Sequence, residues 1–275
     1  MIIFEPFYEN YHPNLMIAGA KPRYVQLKAP DWTFDPEELK RAFNKRTRAI
    51  LINTPHNPTG RVFNKRELQT IAELCQKWGV VAITDEIYEY MVYDGAKHIS
   101  IATIDGMKDR TITISGLSKT FGITGWRLGY AVAPPKYSAA LRRVHDYLTL
   151  AAPSPLQIAA ITALKLPDAF YADMRANYQA QRDLLAGVVR KSGFNFRMPE
   201  GTYYLFTDAS KLGFDCDREI WEHLLSDFKL ATIAGYCFFR PGVKTNFIRF
   251  CYAKSHGTIL AAQEKLEQFR QSREQ

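Results

Sequence analysis

The segment TITISGLSKTFGITGWRLGYAVA, residues 111–133, decides the fold, because two apolar stretches flank a loop punctuated by glycine. Residues 111–115 alternate hydroxyl and isoleucine side chains, which is typical of a β-strand. Gly116, Gly122 and Gly125 indicate the loop. Residues 126–133 are again apolar, so the segment predicts a strand, a loop and a second strand.

Two cations stand at defined places in this segment, Lys119 in the loop and Arg127 at the start of the second predicted strand. Lys119, beside the hydroxyl of Ser118, is either a solvated surface residue or a group that contacts a polar ligand. Arg127 lies between Trp126 and Leu128, where an unpaired charge would be costly. It therefore needs an anion, which is either a carboxylate or a phosphate.

The composition indicates a globular protein of one large domain or two ordinary ones. The chain has 275 residues, of which 47% are hydrophobic, and this is enough for a full core. The formal net charge is +8. The basic residues are dispersed except at residues 40–48, which we interpret as a helix end, so we expect no nucleic-acid partner.

The cysteines and the apolar runs exclude other classes of protein. The 4 cysteines form no CxxC pair, so the sequence predicts neither a metal site nor a disulfide framework. No apolar run approaches the roughly 18 residues of a membrane span, and no signal peptide precedes the first predicted strand. We therefore expect a cytoplasmic protein without a membrane partner.

Strands and helices alternate in the first 90 residues. Strands are predicted at 1–7, 25–27, 49–53 and 80–84, and helices at 35–44 and 64–78. Asn64 and Glu67 form a capping-box pair, and Gly79 ends the second helix. Its predicted apolar face consists of Ile71, Leu74, Cys75 and Trp78. The alternation indicates an α/β fold with a mostly parallel sheet that is covered by helices on both faces.

Polar residues follow three of the predicted strands. Asn57 lies in the loop after residues 49–53, Asp85 and Tyr88 follow residues 80–84, and Lys119 follows residues 111–115. Ligands bind at the carboxyl edge of open α/β sheets, so we expect these groups in one crevice. Structural alternatives stay open, since Asp85 can cap a helix and Asn57 can stabilise a turn.

The rest of the chain predicts an α+β subdomain. Helices are predicted at 136–149, 156–164, 169–192, 218–228 and 256–269, and strands at 194–197, 202–207, 230–233 and 246–252. Arg249 lies in the last strand, on the face of Phe247 and Cys251. Its charge needs either a structural salt bridge or the carboxylate of a substrate.

Four motifs together resemble the fold-type I, class I and II aminotransferases that use pyridoxal 5′-phosphate (PLP). They are HNPTGRVF at 56–63, TDEIY at 84–88, SKTFGITGWRLGY at 118–130 and FIRFCYA at 247–253. The resemblance covers essentially the whole chain and is strongest to the aspartate, aromatic, kynurenine and methionine enzymes. It implies an incomplete PLP-binding large domain at residues 1–165, a C-terminal α+β small domain at residues 166–275, and a homodimer.

The resemblance also implies catalytic roles. Lys119 matches the lysine that forms a Schiff base with the cofactor and moves a proton at the substrate Cα. Asp85 matches the acid that keeps the pyridine nitrogen protonated. Tyr88 and Asn57 match the groups that bind the phenolic oxygen of the cofactor.

Ser118 and Arg127 match ligands of the cofactor phosphate, and Arg249 matches the arginine that binds the α-carboxylate of the amino acid. Gly116 stands where many relatives have a phosphate-binding serine, although other branches also have glycine there. The family has a further segment before the residues that match Met1. In relatives it supplies a phosphate cradle, the residue that stacks on the cofactor ring and a loop across the dimer, so we expect an N-terminally truncated member.

These observations lead to a first hypothesis and two alternatives. The first is a PLP-dependent aminotransferase that moves an amino group between an L-amino acid and a 2-oxo acid. The second is a PLP-dependent lyase of the same fold, acting at Cβ or Cγ, which the GWRLGY motif disfavours. The third is a remnant without catalytic activity.

Overall fold

The computed structural model describes residues 1–273 and contains a seven-stranded and a three-stranded sheet. The order of the larger sheet is β3-β2-β1-β4-β5-β6-β7. Its strands are β1 (Ile2–Glu5), β2 (Arg23–Lys28), β3 (Thr33–Phe34), β4 (Ala49–Asn53), β5 (Val81–Asp85), β6 (Thr111–Gly116) and β7 (Gly129–Val132).

Five strands of the larger sheet are parallel, and the two edge strands β3 and β7 are antiparallel to their neighbours. The predicted α/β class with a mostly parallel sheet is therefore confirmed. The register places Asp85 beside Asn53 on one side and beside Ile114 on the other. The carboxyl ends of β4, β5 and β6 thus meet at one edge of the sheet.

Three helices accompany the first strands, α1 (Tyr11–Ile17), α2 (Pro36–Ala42) and α3 (Lys65–Trp78). The predicted capping box of α3 is confirmed, because Asn64 and Glu67 each accept a hydrogen bond from the other's backbone. Gly79 ends α3 with a φ of 66°. The prediction for Trp78 was wrong: it is the last residue of α3 and is 37% exposed.

The smaller sheet is antiparallel, with the order β8-β10-β9. Its strands are β8 (Tyr204–Asp208), β9 (Ile233–Ala234) and β10 (Phe247–Cys251). The remaining helices are α4 (Pro135–Leu148), α5 (Ser154–Leu164), α6 (Asp168–Lys191), α7 (Asp217–Ser226) and α8 (His256–Ser272). The strand predicted at residues 194–197 was wrong, because its pairing stops at a single bridge between Asn195 and Asp208, the end of β8.

The loop before β7 is longer than the sequence predicted. Thr124–Trp126 forms a 3₁₀ turn, and Arg127 follows with a φ of 55°. Pairing with β6 begins only at Gly129. The sequence had placed Arg127 at the start of the second strand. The structure places it in the loop instead.

Two clusters of buried side chains form most of the core. One packs the strands of the larger sheet against α2 and α3 and includes Phe206 and Phe238 from the C-terminal part. The other surrounds α6, α7 and α8 and includes Tyr88 and Met91 from the segment after β5. Each cluster thus contains side chains from both the N-terminal and the C-terminal half of the chain. This packing holds the two sheets together.

Residues 129–164, which we call the open segment, contrast with this core. Helix α4 has no buried residue, and Ala160 is the one buried residue of α5. Tyr147 is 91% exposed and Leu148 is 79% exposed. Exposed apolar side chains, such as those of α5 and of the apolar face of α4, are normally covered.

Within residues 1–273, no helix combines the length and the apolar character that a bilayer-spanning helix needs.

Candidate active site

A cleft of about 400 Å³ lies at the carboxyl edge of the larger sheet, next to β10. Every site residue predicted from the sequence lines it: Asn57, Asp85, Tyr88, Ser118, Lys119, Arg127 and Arg249. The structure thus brings together side chains that lie up to 192 residues apart in the sequence.

Asp85 is the last residue of β5 and is half-buried in the cleft. Its Oδ1 accepts a hydrogen bond from the backbone N–H of Ile87 at 3.1 Å, and its Oδ2 accepts one from the Tyr11 hydroxyl at 2.6 Å. Burial raises the pKa of Asp85, and the hydrogen bond from Tyr11 is the largest effect in the other direction. Asp85 precedes a turn and not a helix, so it is not a helix cap.

Asn57 is buried in the loop after β4, and Asn53 ties this loop to β5. The side-chain oxygen of Asn53 accepts the backbone N–H of Asn57 at 2.8 Å, while its amide nitrogen donates to the carbonyl of Asp85 at 3.0 Å. The loop that contains Asn57 is therefore fixed relative to the acid.

Arg249 reaches the same loop from β10. Its Nη1 donates to Oδ1 of Asn57 at 2.8 Å. Its guanidinium lies 4.1 Å from the ring centroid of Tyr204 and 4.6 Å from that of Phe238. The partner of Arg249 is thus an amide oxygen and two aromatic faces, which hold the cation without neutralising its charge.

Lys119 is half-buried in the loop after β6. Burial lowers the pKa of Lys119, and the charges of Arg127 and Arg249 lower it further, whereas Cys251 and Asp85 act in the opposite direction. A lowered pKa increases the fraction of neutral amine at neutral pH, which is the form that reacts as a nucleophile or base. Lys119 is therefore not the solvated surface lysine that the sequence had left open.

Gly116, three residues before Lys119, lies where the neighbouring backbone leaves little room for a side chain. A Cβ atom at this position would lie 3.0 Å from the carbonyl oxygen of Leu128 and 3.2 Å from Cα of Gly129. A side chain at this position would require β6 and β7 to move apart by a few tenths of an ångström.

Tyr88 lies on the side of the cleft that faces the smaller sheet. It is 3% exposed, and its hydroxyl donates to the Tyr204 hydroxyl at 3.3 Å. Burial raises the pKa of Tyr88 well above its ordinary value, so the phenol keeps its proton. The edge of its ring contacts Tyr203, with the centroids 5.2 Å apart.

Ser118 and Arg127 occupy the exposed side of the cleft. Arg127 is exposed, and its Nη1 donates to the carbonyl of Thr124 at 2.8 Å. The expectation that a buried Arg127 demands an anion was wrong, because the 3₁₀ turn places its charge in contact with solvent. The carbonyl of Ser118 accepts from the Thr124 hydroxyl at 3.1 Å.

Further residues of the cleft were not predicted from the sequence, namely Tyr8, Glu9, Tyr11 and Asn53. Tyr8, Glu9 and Tyr11 belong to the sequence YENY at residues 8–11, which is separated from the end of β1 by Pro6 and Phe7. Because β1 is parallel to β4, its carboxyl end lies at the same edge of the sheet. That parallel arrangement is the signal that could have found them.

In the described part of the chain, no three His, Cys, Asp or Glu residues come together in a group that could hold a metal ion.

Comparison with known proteins gives one consistent family. The family model "Aminotransferase class I and II" matches residues 1–266. Kynurenine–oxoglutarate transaminase 3 of Rattus norvegicus is 35% identical over 293 residues, and the match covers 96% of this chain. The chain spans 64% of the length of that relative.

Solved structures agree with this family. N-succinyldiaminopimelate aminotransferase from Mycobacterium tuberculosis superposes with a TM-score of 0.94 at 38% identity, covering 98% of this chain and 71% of that chain. Aromatic aminotransferase from Pyrococcus horikoshii gives a TM-score of 0.92 at 33% identity, covering 99% and 73%. These structures have the fold-type I architecture, and the enzymes of this family use PLP. The chain belongs to the class I and II aminotransferase family.

Proposed function

We propose that this chain is an aminotransferase that binds PLP in the cleft and moves an amino group between an L-amino acid and a 2-oxo acid. One observation carries the proposal. The amine of Lys119, the carboxyl group of Asp85 and the guanidinium of Arg249 line a single cleft. An amine, an acid and an anion-binding group are the three functions that transamination of an amino acid requires.

The donor set of the cleft fits PLP. The cofactor has a basic ring nitrogen, a phenolic oxygen, an aldehyde and a phosphate, and the cleft offers an acid, hydroxyl and amide donors, an amine and cations. When bound, PLP acts as an electron sink that stabilises negative charge at the Cα of the amino acid.

The catalytic roles follow from the state of each group. Lys119 has a lowered pKa, so a larger share of its amine is neutral and can accept and return a proton at the substrate Cα. Asp85, when ionised, holds a proton on the ring nitrogen. Tyr88 keeps its phenolic proton and, with the amide of Asn57, can donate a hydrogen bond to the phenolic oxygen.

Arg249 binds the α-carboxylate of the substrate in this proposal. Its guanidinium is held between Tyr204 and Phe238 and by Asn57, so little side-chain entropy remains to be lost when the carboxylate binds. A fixed carboxylate also fixes the Cα next to the amine of Lys119, which contributes to the rate through orientation. Ser118 and Arg127 bind the phosphate on the exposed side.

The proposal also includes the oligomeric state, the cellular location and the domain boundaries of the chain. A second copy of the chain would cover the apolar side chains of the open segment and form a homodimer. A cytoplasmic location agrees with the four free cysteines. The PLP-binding domain would include residues 1–165 and the small domain residues 166–275, so that α6 begins the second domain.

Transfer of a labelled amino group tests the proposal. The purified chain with PLP, a ¹⁵N-labelled amino acid and 2-oxoglutarate is expected to form ¹⁵N-labelled glutamate, detected by NMR. Asp85→Asn is nearly isosteric but cannot carry the charge that keeps the ring nitrogen protonated, so we expect the transfer to be slower by about tenfold or more. Formation of a 2-oxo acid and free ammonia without an acceptor would instead identify a lyase, and no PLP-dependent transfer would indicate an inactive remnant.

A further inference from the structure

Tyr11 contacts the acid of the cleft directly. It is the first residue of α1, 74 positions before Asp85 in the sequence, and its hydroxyl donates to Oδ2 of Asp85 at 2.6 Å. Because Ile87 donates to the other oxygen at 3.1 Å, each carboxyl oxygen has its own donor. Donors to both oxygens favour the ionised carboxylate, since a protonated carboxyl group accepts such bonds less well.

The surroundings of Asp85 otherwise push towards the neutral acid. Burial and the neighbouring charge of Glu86 raise the pKa of Asp85, whereas Tyr11, Ile87 and the charge of Lys119 lower it. Glu86 is itself buried and accepts hydrogen bonds from Thr84, Ser100 and His98. Tyr11 is thus the side chain that offsets burial of the acid most strongly.

Tyr11 is well suited to remain a donor. Burial and the charge of Asp85 raise its pKa well above the ordinary value, so the phenol stays protonated. Its ring packs edge-to-face against Tyr8, with centroids 5.5 Å apart. Tyr8 also lines the cleft, and its interaction with Asp85 is electrostatic only.

We propose that Tyr11 is a positioning residue whose hydroxyl holds the Asp85 carboxylate in its ionised form, in the orientation needed to keep a proton on the ring nitrogen of the cofactor. This inference rests on the proposed function, because the ring nitrogen belongs to bound PLP. In this proposal, a residue at the start of α1 stabilises the charge of the acid that contacts the cofactor.

The carboxyl group of Asp85 can be titrated in the chain without cofactor. NMR of protein labelled with ¹³C in its aspartate carboxyl groups gives the titration, and Asp85→Asn identifies the signal. Tyr11→Phe is expected to raise the pKa of Asp85 by about one unit, a tenfold change in its protonation constant. Tyr8→Phe, the matched control, removes a hydroxyl from the same cleft and is expected to change the pKa much less.

A second substitution keeps the test independent of the folding of Tyr11→Phe. Fluorotyrosine at position 11 preserves the size of the ring and makes the hydroxyl a stronger donor. It is therefore expected to lower the pKa of Asp85 below that of the unmodified chain. The same pKa with tyrosine, fluorotyrosine and phenylalanine at position 11, or an equal shift with Tyr8→Phe, would overturn the inference.

The affinity for PLP, measured by absorbance across the pH range in which Asp85 titrates in the NMR experiment, gives a second readout. In Tyr11→Phe the acid is neutral up to a higher pH, so the loss of affinity on acidification should begin about one pH unit higher. A shifted carboxyl titration with an unchanged affinity profile would show that Tyr11 does not act on the cofactor. If neither protein binds PLP, the proposed function fails, and the NMR titration still decides whether Tyr11 holds Asp85 ionised.

Discussion

Two of the regions that supply residues to the cleft differ in burial. The first, which we call the enclosed region, comprises β4, β5 and the loop at residues 54–60, where Asn57 is 4% exposed and His56 is 2% exposed. The second comprises the loop at residues 117–128 and the open segment, where Arg127 is exposed. The conformation of the enclosed region is fixed by packing in the core of this chain. The side chains of the second region are mostly exposed.

Lys119 lies in the loop of the second region and carries the largest expected effect. Lys119→Ala removes the amine that moves the substrate proton, so we expect the rate of amino-group transfer to fall by about 10³-fold or more. Lys77→Ala on the exposed end of α3 is the control and should keep the full rate. Substantial activity of Lys119→Ala, measured in the ¹⁵N transfer assay, would contradict the proposed role.

Arg249, on β10, tests the enclosed region because its guanidinium is hydrogen-bonded to Asn57. Arg249→Ala removes the cation that binds the α-carboxylate, and a charge-assisted hydrogen bond of about 1.5 to 3 kcal/mol corresponds to a rise in KM of roughly 10- to 100-fold. The absorbance spectrum of the bound cofactor should stay unchanged, because Arg249 does not contact PLP in the proposed arrangement. A bleached cofactor spectrum with an unchanged KM would assign Arg249 to the cofactor and not to the substrate.

Tyr147 tests the open segment. If a second copy covers this segment, Tyr147→Asp places a charge in the interface and should weaken dimerisation by about 30-fold, as for a residue worth about 2 kcal/mol. Sedimentation velocity measures this change. Leu260→Asp, at an exposed apolar position of α8, is the control and should leave the dimer intact. Equal effects of both substitutions would mean that the open segment is not the interface.

His56 tests the burial of the enclosed region through pH. Burial is the main cause that lowers the pKa of His56 from 6.5 to about 3, so His56 is neutral in the folded protein. The unfolded chain binds a proton near pH 6.5, and the free energy of unfolding should therefore fall as the pH decreases below 6.5. The expected loss from this group is about 1.4 kcal/mol at pH 5.5.

Urea unfolding at pH 7.5 and pH 5.5 measures this loss. In His56→Gln the contribution should disappear, whereas His256→Gln at an exposed position should keep it. An unchanged pH dependence in His56→Gln would show that His56 is accessible to protons in the folded state.

The sequence predicted the enclosed region well and, in the second region, helices α4 and α5, but not the loop before β7. Apolar runs such as residues 49–53, the capping pair of α3 and the polar residues after β4 and β5 are local signals, and each was found where the structure has it. Helix α1 was missed, because it has only 7 residues and Leu15 is its one buried residue, so no apolar periodicity marks it. With α1 the sequence reasoning also missed Tyr8 and Tyr11.

The exposure of Arg127 could not be predicted from its neighbours. Trp126 and Leu128 suggested burial, yet the chain makes a 3₁₀ turn and a left-handed residue before β7 begins. The hydrogen bond from Tyr11 to Asp85 joins residues 74 positions apart. Predicting it requires the order of the strands in the sheet. Local patterns do not determine that order.

Reduction with borohydride in the presence of PLP, followed by peptide mapping, tests the central claim most directly. The claim is that the amine of Lys119 and the acid of Asp85 act on one cofactor in one cleft. We predict that the pyridoxyl group is recovered on the peptide that contains Lys119, and that Asp85→Asn reduces its yield. Recovery of the pyridoxyl group on another lysine, or on none, would contradict the account.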